Sequence, residues 1–135
     1  MFKQRVQGFA VGAAAVAALM IGLPMLNVGS PNPELDKFAA SLGVDIVWSA
    51  THPCLLKNPA YDACFTPLLP NTVFVNPAIS EGDQRFFVFH EIAHVFQHRL
   101  NMERDECQAY RVADAIDGTY KTVEWQAKNC ANQSE

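Results

Sequence analysis

One stretch of the chain, residues 86–98 (FFVFHEIAHVFQH), constrains the fold more than any other. It contains an HExxH pentad, in which His90 and His94 stand four residues apart and Glu91 follows the first histidine. Side chains four residues apart on a helix lie one turn apart on the same face. The two imidazoles would therefore point at one spot, as two ligands of a zinc ion do. Glu91 would lie beside that ion, where it can act on a water molecule.

The residues around the pentad predict a buried helix over residues 83–100. Apolar side chains cover most of its circumference: Phe86, Phe87, Phe89, Ile92, Val95 and Phe96. Ser80, with Asp83 three residues later, would cap its start. Two histidines and a charged glutamate inside a buried helix are costly without a partner. A metal ion removes that cost, so this setting favours a metal site over a chance match.

A catalytic zinc usually takes three protein ligands and keeps a fourth position open, so a third ligand must be found. His98 is one option on the same helix. It lies about 80° around the helix from His90 and about 12 Å further along the axis. Ligands at three such positions on one straight helix cannot converge on one ion. His98 is therefore expected at the surface or behind the ligands.

Acidic residues from the following helix are the other option. Glu103, Asp105 and Glu106 fall near its start, and a short connection would bring this helix back beside the first. Glu106 shares a face with Ala109 and Ala113, so it is the predicted third ligand. Asp105 is the alternative, with a shorter side chain. The same acids would also favour a helix N-terminus without any metal.

The remaining segments predict an α+β fold. The pattern indicates helices over residues 33–42, 103–117 and 119–129, and strands over residues 44–49 and 72–76, with a possible third strand between residues 55 and 69. These elements would form a small, mostly antiparallel sheet packed on the buried motif helix and two further helices. Gly118 is expected to end the helix over residues 103–117.

The first thirty residues differ from the rest. Residues 9–26 carry no charge, and Lys3 and Arg5 precede them. This layout is typical of an export signal or a single membrane anchor, with a buried helix of the domain as the weaker alternative. Residues 1–30 would then be the signal or anchor plus a linker, and residues 31–135 the compact domain. Both export interpretations place that domain outside the cytoplasm, as a secreted, periplasmic or membrane-anchored protein.

Four cysteines agree with export: Cys54, Cys64, Cys107 and Cys130. Their even number, wide spacing and lack of a CxxC pair favour two disulfides over a thiolate zinc site. Of the three possible pairings, Cys54–Cys64 and Cys107–Cys130 are preferred. Four free thiols in a cytosolic protein are the alternative.

The charge of the chain excludes one class of partner. The formal charge is −4, and Lys3 and Arg5 are the only charges before residue 31, so the body is more acidic than the whole. An acidic body argues against binding to the phosphates of nucleic acids. The chain is expected to be a monomer.

The sequence HEIAH, followed about a dozen residues later by ECQA at residues 106–109, resembles the gluzincin metallopeptidases. The second motif of that family is a glutamate on a helix rich in small residues. The short chain and the strand before the motif helix are similar to the compact minigluzincins, over residues 73–115. Tyr110 departs from the pattern, because many gluzincins have an aspartate four residues after the ligand glutamate. The metzincin pattern fits worse, because His94 is not followed by the required glycine and late histidine.

The resemblance implies a zincin-like fold and a zinc metallopeptidase acting on peptides or proteins. His90, His94 and Glu106 would hold Zn²⁺, and Glu91 would take the proton of the zinc-bound water and pass it to the leaving amine. Residues 72–76 would form the sheet edge that binds substrate as an added strand. Candidate donors to the oxyanion are His52, Tyr61, Tyr110, Arg111 and Tyr120.

A second class of function stays open. The same fold could be an inactive zincin-like domain, stabilised by zinc or free of metal, that binds another protein outside the cytoplasm. Glu91 distinguishes the two classes, because only an enzyme needs its carboxylate to move a proton.

Overall fold

The computed structural model describes residues 29–56 and 62–130. Its helices are α1 (Pro33–Ser41), α2 (Pro53–Leu56), α3 (Glu81–Arg99), α4 (Glu106–Asp117) and α5 (Val123–Asn129), and its strands are β1 (Asp45–Trp48), β2 (Ala63–Phe65) and β3 (Thr72–Val75). The predicted α+β class is confirmed. Within the described part of the chain, no helix combines the length and apolar character needed to cross a bilayer. The apolar segment at residues 9–26 lies outside the described residues.

The sheet has three strands in the order β1-β3-β2. β1 runs parallel to β3, with Asp45 opposite Thr72, and β2 runs antiparallel to β3, with Cys64 opposite Phe74. The sheet is therefore mixed, with one pair of each kind. The prediction that the strand over residues 72–76 forms an edge is wrong, because β1 and β2 pair with both of its sides. Among the described residues, β1 and β2 form the two edges of the sheet.

Helix α3 is the buried motif helix that the sequence predicts. The side-chain oxygen of Ser80 accepts a hydrogen bond from the backbone N–H of Asp83 at 3.2 Å, which caps its start. Phe86, Val88 and Val95 are fully buried. They pack into one core with residues of the sheet and of α1. The sheet and the helix thus bury each other's apolar faces, which is the main stabilising contribution expected for such a fold.

A tight turn connects α3 to α4. Asn101 has a φ of 58°, a left-handed conformation that asparagine adopts more readily than most residues. The side chain of Asp105 accepts a hydrogen bond from the backbone N–H of Gln108 at 3.1 Å, so α4 begins at Glu106 rather than at residue 103. Gly118 has a φ of 77° and ends α4, as predicted.

Two disulfides join the helices to their neighbours, and both predicted pairings are confirmed. Cys54–Cys64 links α2 to β2, and Cys107–Cys130 links α4 to the end of α5. Disulfides are typical of proteins in oxidising compartments. Helix α5 begins at Val123, later than predicted, because the carboxylate of Asp114 accepts the backbone N–H of Thr122 at 3.2 Å.

Candidate metal centre

Helices α3 and α4 bring His90, His94 and Glu106 together at one point. Oε1 of Glu106 lies 2.9 Å from Nε2 of His90 and 3.2 Å from Nε2 of His94. The three side chains each offer one ligand atom, and these atoms lie within 4.8 Å of one another. The two histidines converge because they are one helical turn apart, and the α3–α4 turn returns the chain so that Glu106 faces them.

These residues fit a zinc ion. Two atoms bound to zinc at ~2.0–2.1 Å in tetrahedral geometry lie ~3.3 Å apart, close to the separations of the Glu106 oxygen from the two histidine nitrogens. Two imidazoles and one carboxylate are a ligand set that zinc accepts. Two side-chain atoms at the site, Nδ1 of His90 and Oε1 of Glu91, are buried without a hydrogen-bond partner among the described residues. Unsatisfied buried polar atoms are rare in proteins, and a zinc ion with its bound water would give Oε1 of Glu91 a partner.

Glu91 is buried beside the two histidines, with only 6% of the residue exposed. Burial raises the pKa of its carboxyl group above the ordinary value of 4.5. Glu91 lines a cavity of about 480 Å³ together with His90 and Glu106. Its carboxyl group is therefore placed where it can exchange a proton with a molecule in that cavity.

Glu106 is ionised at neutral pH. Hydrogen bonds with His90 and His94 hold the pKa of its carboxyl group well below the usual range. Oε2 of Glu106 also accepts a hydrogen bond from Nε of Arg104 at 3.1 Å. The carboxylate thus presents one oxygen to the histidines and keeps the other on Arg104, which is the charge state that a metal ligand needs.

The second nitrogen of each histidine lies in a different environment. Nδ1 of His94 lies 2.8 Å from Oε1 of Gln97. The ring of His90 instead packs against that of Tyr110, with 4.2 Å between ring centroids. Gln97 was not predicted as a site residue. Its position about one helical turn after His94 on a buried helix nevertheless indicates that its side chain lies near that histidine.

A family model for the IrrE N-terminal-like domain, Peptidase_M78, matches residues 42–129, which is more than half of the chain. The chain belongs to the Peptidase_M78 family. The matched region contains all four residues of the predicted site: His90, Glu91, His94 and Glu106. Searches of curated proteins and of solved structures found no significant match.

The two other candidate ligands of this Peptidase_M78 domain lie apart from the three converging side chains. His98 is exposed, and its ring lies 6.0 Å from that of Phe65. The carboxylate of Asp105 caps α4 through the backbone N–H of Gln108. Among the described residues, the group that includes His90 contains neither of them.

The candidate oxyanion donors are scattered over the Peptidase_M78 domain. Tyr110 lines the cavity. His52 stacks on Phe74 with 3.6 Å between ring centroids, whereas Arg111 and Tyr120 are exposed. Tyr61 lies outside the described residues.

Arg104 is a further candidate donor to the oxyanion, beyond those that the sequence suggested. It borders the cavity while its Nε binds Glu106. In the sequence, only its position between α3 and α4, two residues before Glu106, indicates that Arg104 lies near the site.

Proposed function

We propose that this domain is a zinc-dependent metallopeptidase that hydrolyses peptide bonds in peptides or proteins. The observation that supports this most is the convergence of His90, His94 and Glu106 beside the buried Glu91. Peptidase_M78 is a peptidase family. The resemblance of HEIAH and ECQA to the gluzincin motifs agrees with the convergence of His90, His94 and Glu106. An open cavity next to them leaves room for a substrate.

The three ligand side chains and Glu91 would divide the chemistry between them. His90, His94 and Glu106 would hold the ion, and zinc would supply a Lewis acid that activates water and polarises the scissile carbonyl. Glu91 would accept the proton of the attacking water and deliver it to the leaving amine. Its raised pKa suits this role, because a base works best when its pKa approaches the working pH.

The free edge of β2 is the proposed binding position for the substrate backbone. The carbonyl of Asp62 accepts the N–H of Asn76 at 2.9 Å, so Asp62 faces β3. Because residues alternate along an antiparallel ladder, Cys64 also faces β3 and Ala63 points its N–H and C=O outward. Ala63 lines the cavity, and an extended peptide would pair with it there.

We also propose that the domain acts outside the cytoplasm as a monomer and without nucleic acid. Two disulfides favour an oxidising compartment, and residues 9–26 would be an export signal or a membrane anchor. Cell fractionation of chains with and without residues 1–30 tests this. Retention of the full chain in the cytoplasm would contradict it.

The test of the peptidase function compares zinc content and hydrolysis in wild type and Glu91→Gln. The purified chain is expected to bind one zinc and to cleave an unfolded protein substrate such as labelled casein. Glu91→Gln should keep the zinc and lose about 10²–10⁴-fold in activity, the range for a general base. Glu81→Gln, an exposed change on the same helix, is the matched control and should stay active.

Three results would contradict the proposal. Wild type without zinc would remove its chemical basis. Equal activity in Glu91→Gln would show that the cleavage comes from another source. Zinc binding without any cleavage would favour the non-catalytic domain that binds a protein.

A further inference from the structure

Gln97 is a buried glutamine on α3, and its side-chain amide makes four hydrogen bonds. Only 3% of the residue is exposed. Its Oε1 lies 2.8 Å from Nδ1 of His94 and 3.1 Å from the backbone N of Asp105. Its Nε2 donates to the backbone carbonyl of Asp105 at 3.0 Å and to Oε1 of Gln108 at 2.8 Å. The amide therefore uses two acceptor and two donor directions.

These contacts fix which way the amide points. Nε2 faces the backbone carbonyl of Asp105, which can only accept, and Oε1 faces the backbone N–H of Asp105, which can only donate, so Nε2 must be the donor. Oε1 then faces His94, and Nδ1 of His94 must carry the hydrogen in this contact. With Nδ1 committed to Gln97, Nε2 of His94 is the nitrogen that could give its lone pair to a bound ion in place of its hydrogen bond to Glu106, which is the tautomer that a metal ligand requires.

The same amide holds the segment before α4. It pairs with both the N–H and the C=O of Asp105, the residue that directly precedes Glu106. Two hydrogen bonds to one peptide segment restrain its rotation as well as its distance from α3. The start of α4, and with it Glu106, is thereby docked against the helix that carries the histidines.

We propose that Gln97 is a positioning residue that sets the ring of His94 and the place of Glu106 at the same time. This inference rests on the proposed function, because the positions matter only if a metal binds there. Groups that orient a ligand from behind typically change metal affinity 10- to 100-fold when they are removed. Gln97 contacts two parts of the site, so we expect its loss to reach that range.

Three variants of the full chain test the role. Gln97→Met keeps the length of the side chain and removes all four hydrogen bonds. Gln97→Glu keeps both acceptor contacts, to His94 and to the N–H of Asp105, but loses both donor contacts. Gln84→Met is the matched control, because Gln84 is also buried on α3, with 5% exposed, and bonds to Ile79 and Asn32 away from the site.

Zinc affinity, measured by competition with a chromophoric chelator, is the first readout. Gln97→Met should bind zinc about 10- to 100-fold more weakly than wild type. Gln97→Glu should retain most of the affinity although it loses stability, because the contact to His94 remains. Gln84→Met should lose stability without losing zinc affinity. Wild-type affinity in Gln97→Met, or an equal loss in Gln84→Met, would overturn the proposal.

Hydrogen exchange in the metal-free chain is the second readout. The backbone N–H of Asp105 should exchange faster in Gln97→Met than in wild type, Gln97→Glu or Gln84→Met. If the wild-type chain bound no zinc, the proposed function would be wrong. Hydrogen exchange would still test whether Gln97 docks the start of α4 against α3. Faster exchange in Gln97→Met alone would uphold that role, and unchanged exchange would overturn it.

Discussion

The ring of Tyr110 packs 4.2 Å from the ring of His90, at the position four residues after Glu106. Nδ1 of His90 has no hydrogen-bond partner among the described residues. The two histidines of the site are therefore held in different ways. His94 is oriented by a hydrogen bond to Gln97, whereas His90 is oriented by packing against an aromatic ring.

The first prediction follows from this packing. Tyr110→Ala should lower zinc affinity about 10-fold and the free energy of unfolding by about 2–3 kcal/mol, less than for a fully buried aromatic residue. The ring also contacts Phe86 and Trp125. Tyr110→Phe keeps the ring and should retain the zinc affinity. Chelator competition and urea unfolding check both variants, and equal losses in the two would contradict the packing role.

A second prediction decides which acid is the third ligand. Glu106→Gln should weaken zinc binding by at least ~10²-fold, because a neutral amide replaces a charged ligand that faces both imidazoles. Asp105→Asn should bind zinc almost as wild type does, since asparagine caps a helix as well as aspartate. Isothermal titration with zinc compares the two. The reverse order of affinities would identify Asp105 as the ligand.

The third prediction concerns pH and His52. Burial lowers the pKa of His52 below its ordinary value of 6.5, and its Nδ1 accepts the backbone N–H of Cys54 at 3.1 Å. As the pH falls through 6.5, the unfolded chain takes up the proton first. The free energy of unfolding should therefore decrease below that pH, until the pKa of the folded state is passed.

His52→Phe is the variant that tests this pH dependence. A phenyl ring can still stack on Phe74 but cannot bind a proton. At pH 7 the variant should be less stable than wild type, because it lacks the hydrogen bond to Cys54. Between about pH 7 and pH 5, however, its free energy of unfolding should decrease less than that of wild type. Urea unfolding at several pH values measures the difference. Parallel pH curves for the two proteins would contradict the prediction.

The fourth prediction concerns the free edge of β2. Ala63→Pro removes an N–H that points away from β3, so the ladder with β3 should persist. If substrate pairs with this edge, one backbone hydrogen bond is lost and kcat/KM should fall about 3- to 10-fold. Ile46→Pro, which removes an outward N–H from the opposite edge strand, is the matched control. Equal kinetic effects of the two prolines, at equal thermal stability, would exclude β2 as the binding edge.

Local patterns in the sequence were enough to predict the motif helix and the pair of histidines on it. The period of a helix is set by neighbouring residues, so the spacing of His90 and His94 determined that they share a face. Glu106 was predicted by the same periodicity on the next helix. The disulfide pairings were also correct, because number and spacing left few alternatives.

These local patterns could not predict contacts between segments that are distant in the sequence. β2 has only three residues, too few for a periodic signal, and its pairing with β3 is what makes β3 central. The choice of Asp105 as a cap, and thus the start of α4, depends on one local hydrogen bond that competes with a longer helix. The position of Arg104 at the cavity depends on the path of the connecting turn.

The sequence by itself determined that this chain has a buried helix with two histidines and a glutamate on it, and the acidic residues from which a third ligand could come. Only the tertiary structure decided that Glu106 reaches the histidines, that Gln97 contacts both His94 and the start of α4, and that β2 rather than β3 is the edge strand beside the cavity. The reason is physical. Helical periodicity is a property of adjacent residues, whereas strand order and hydrogen bonds between helices form only when the core packs and brings distant segments together.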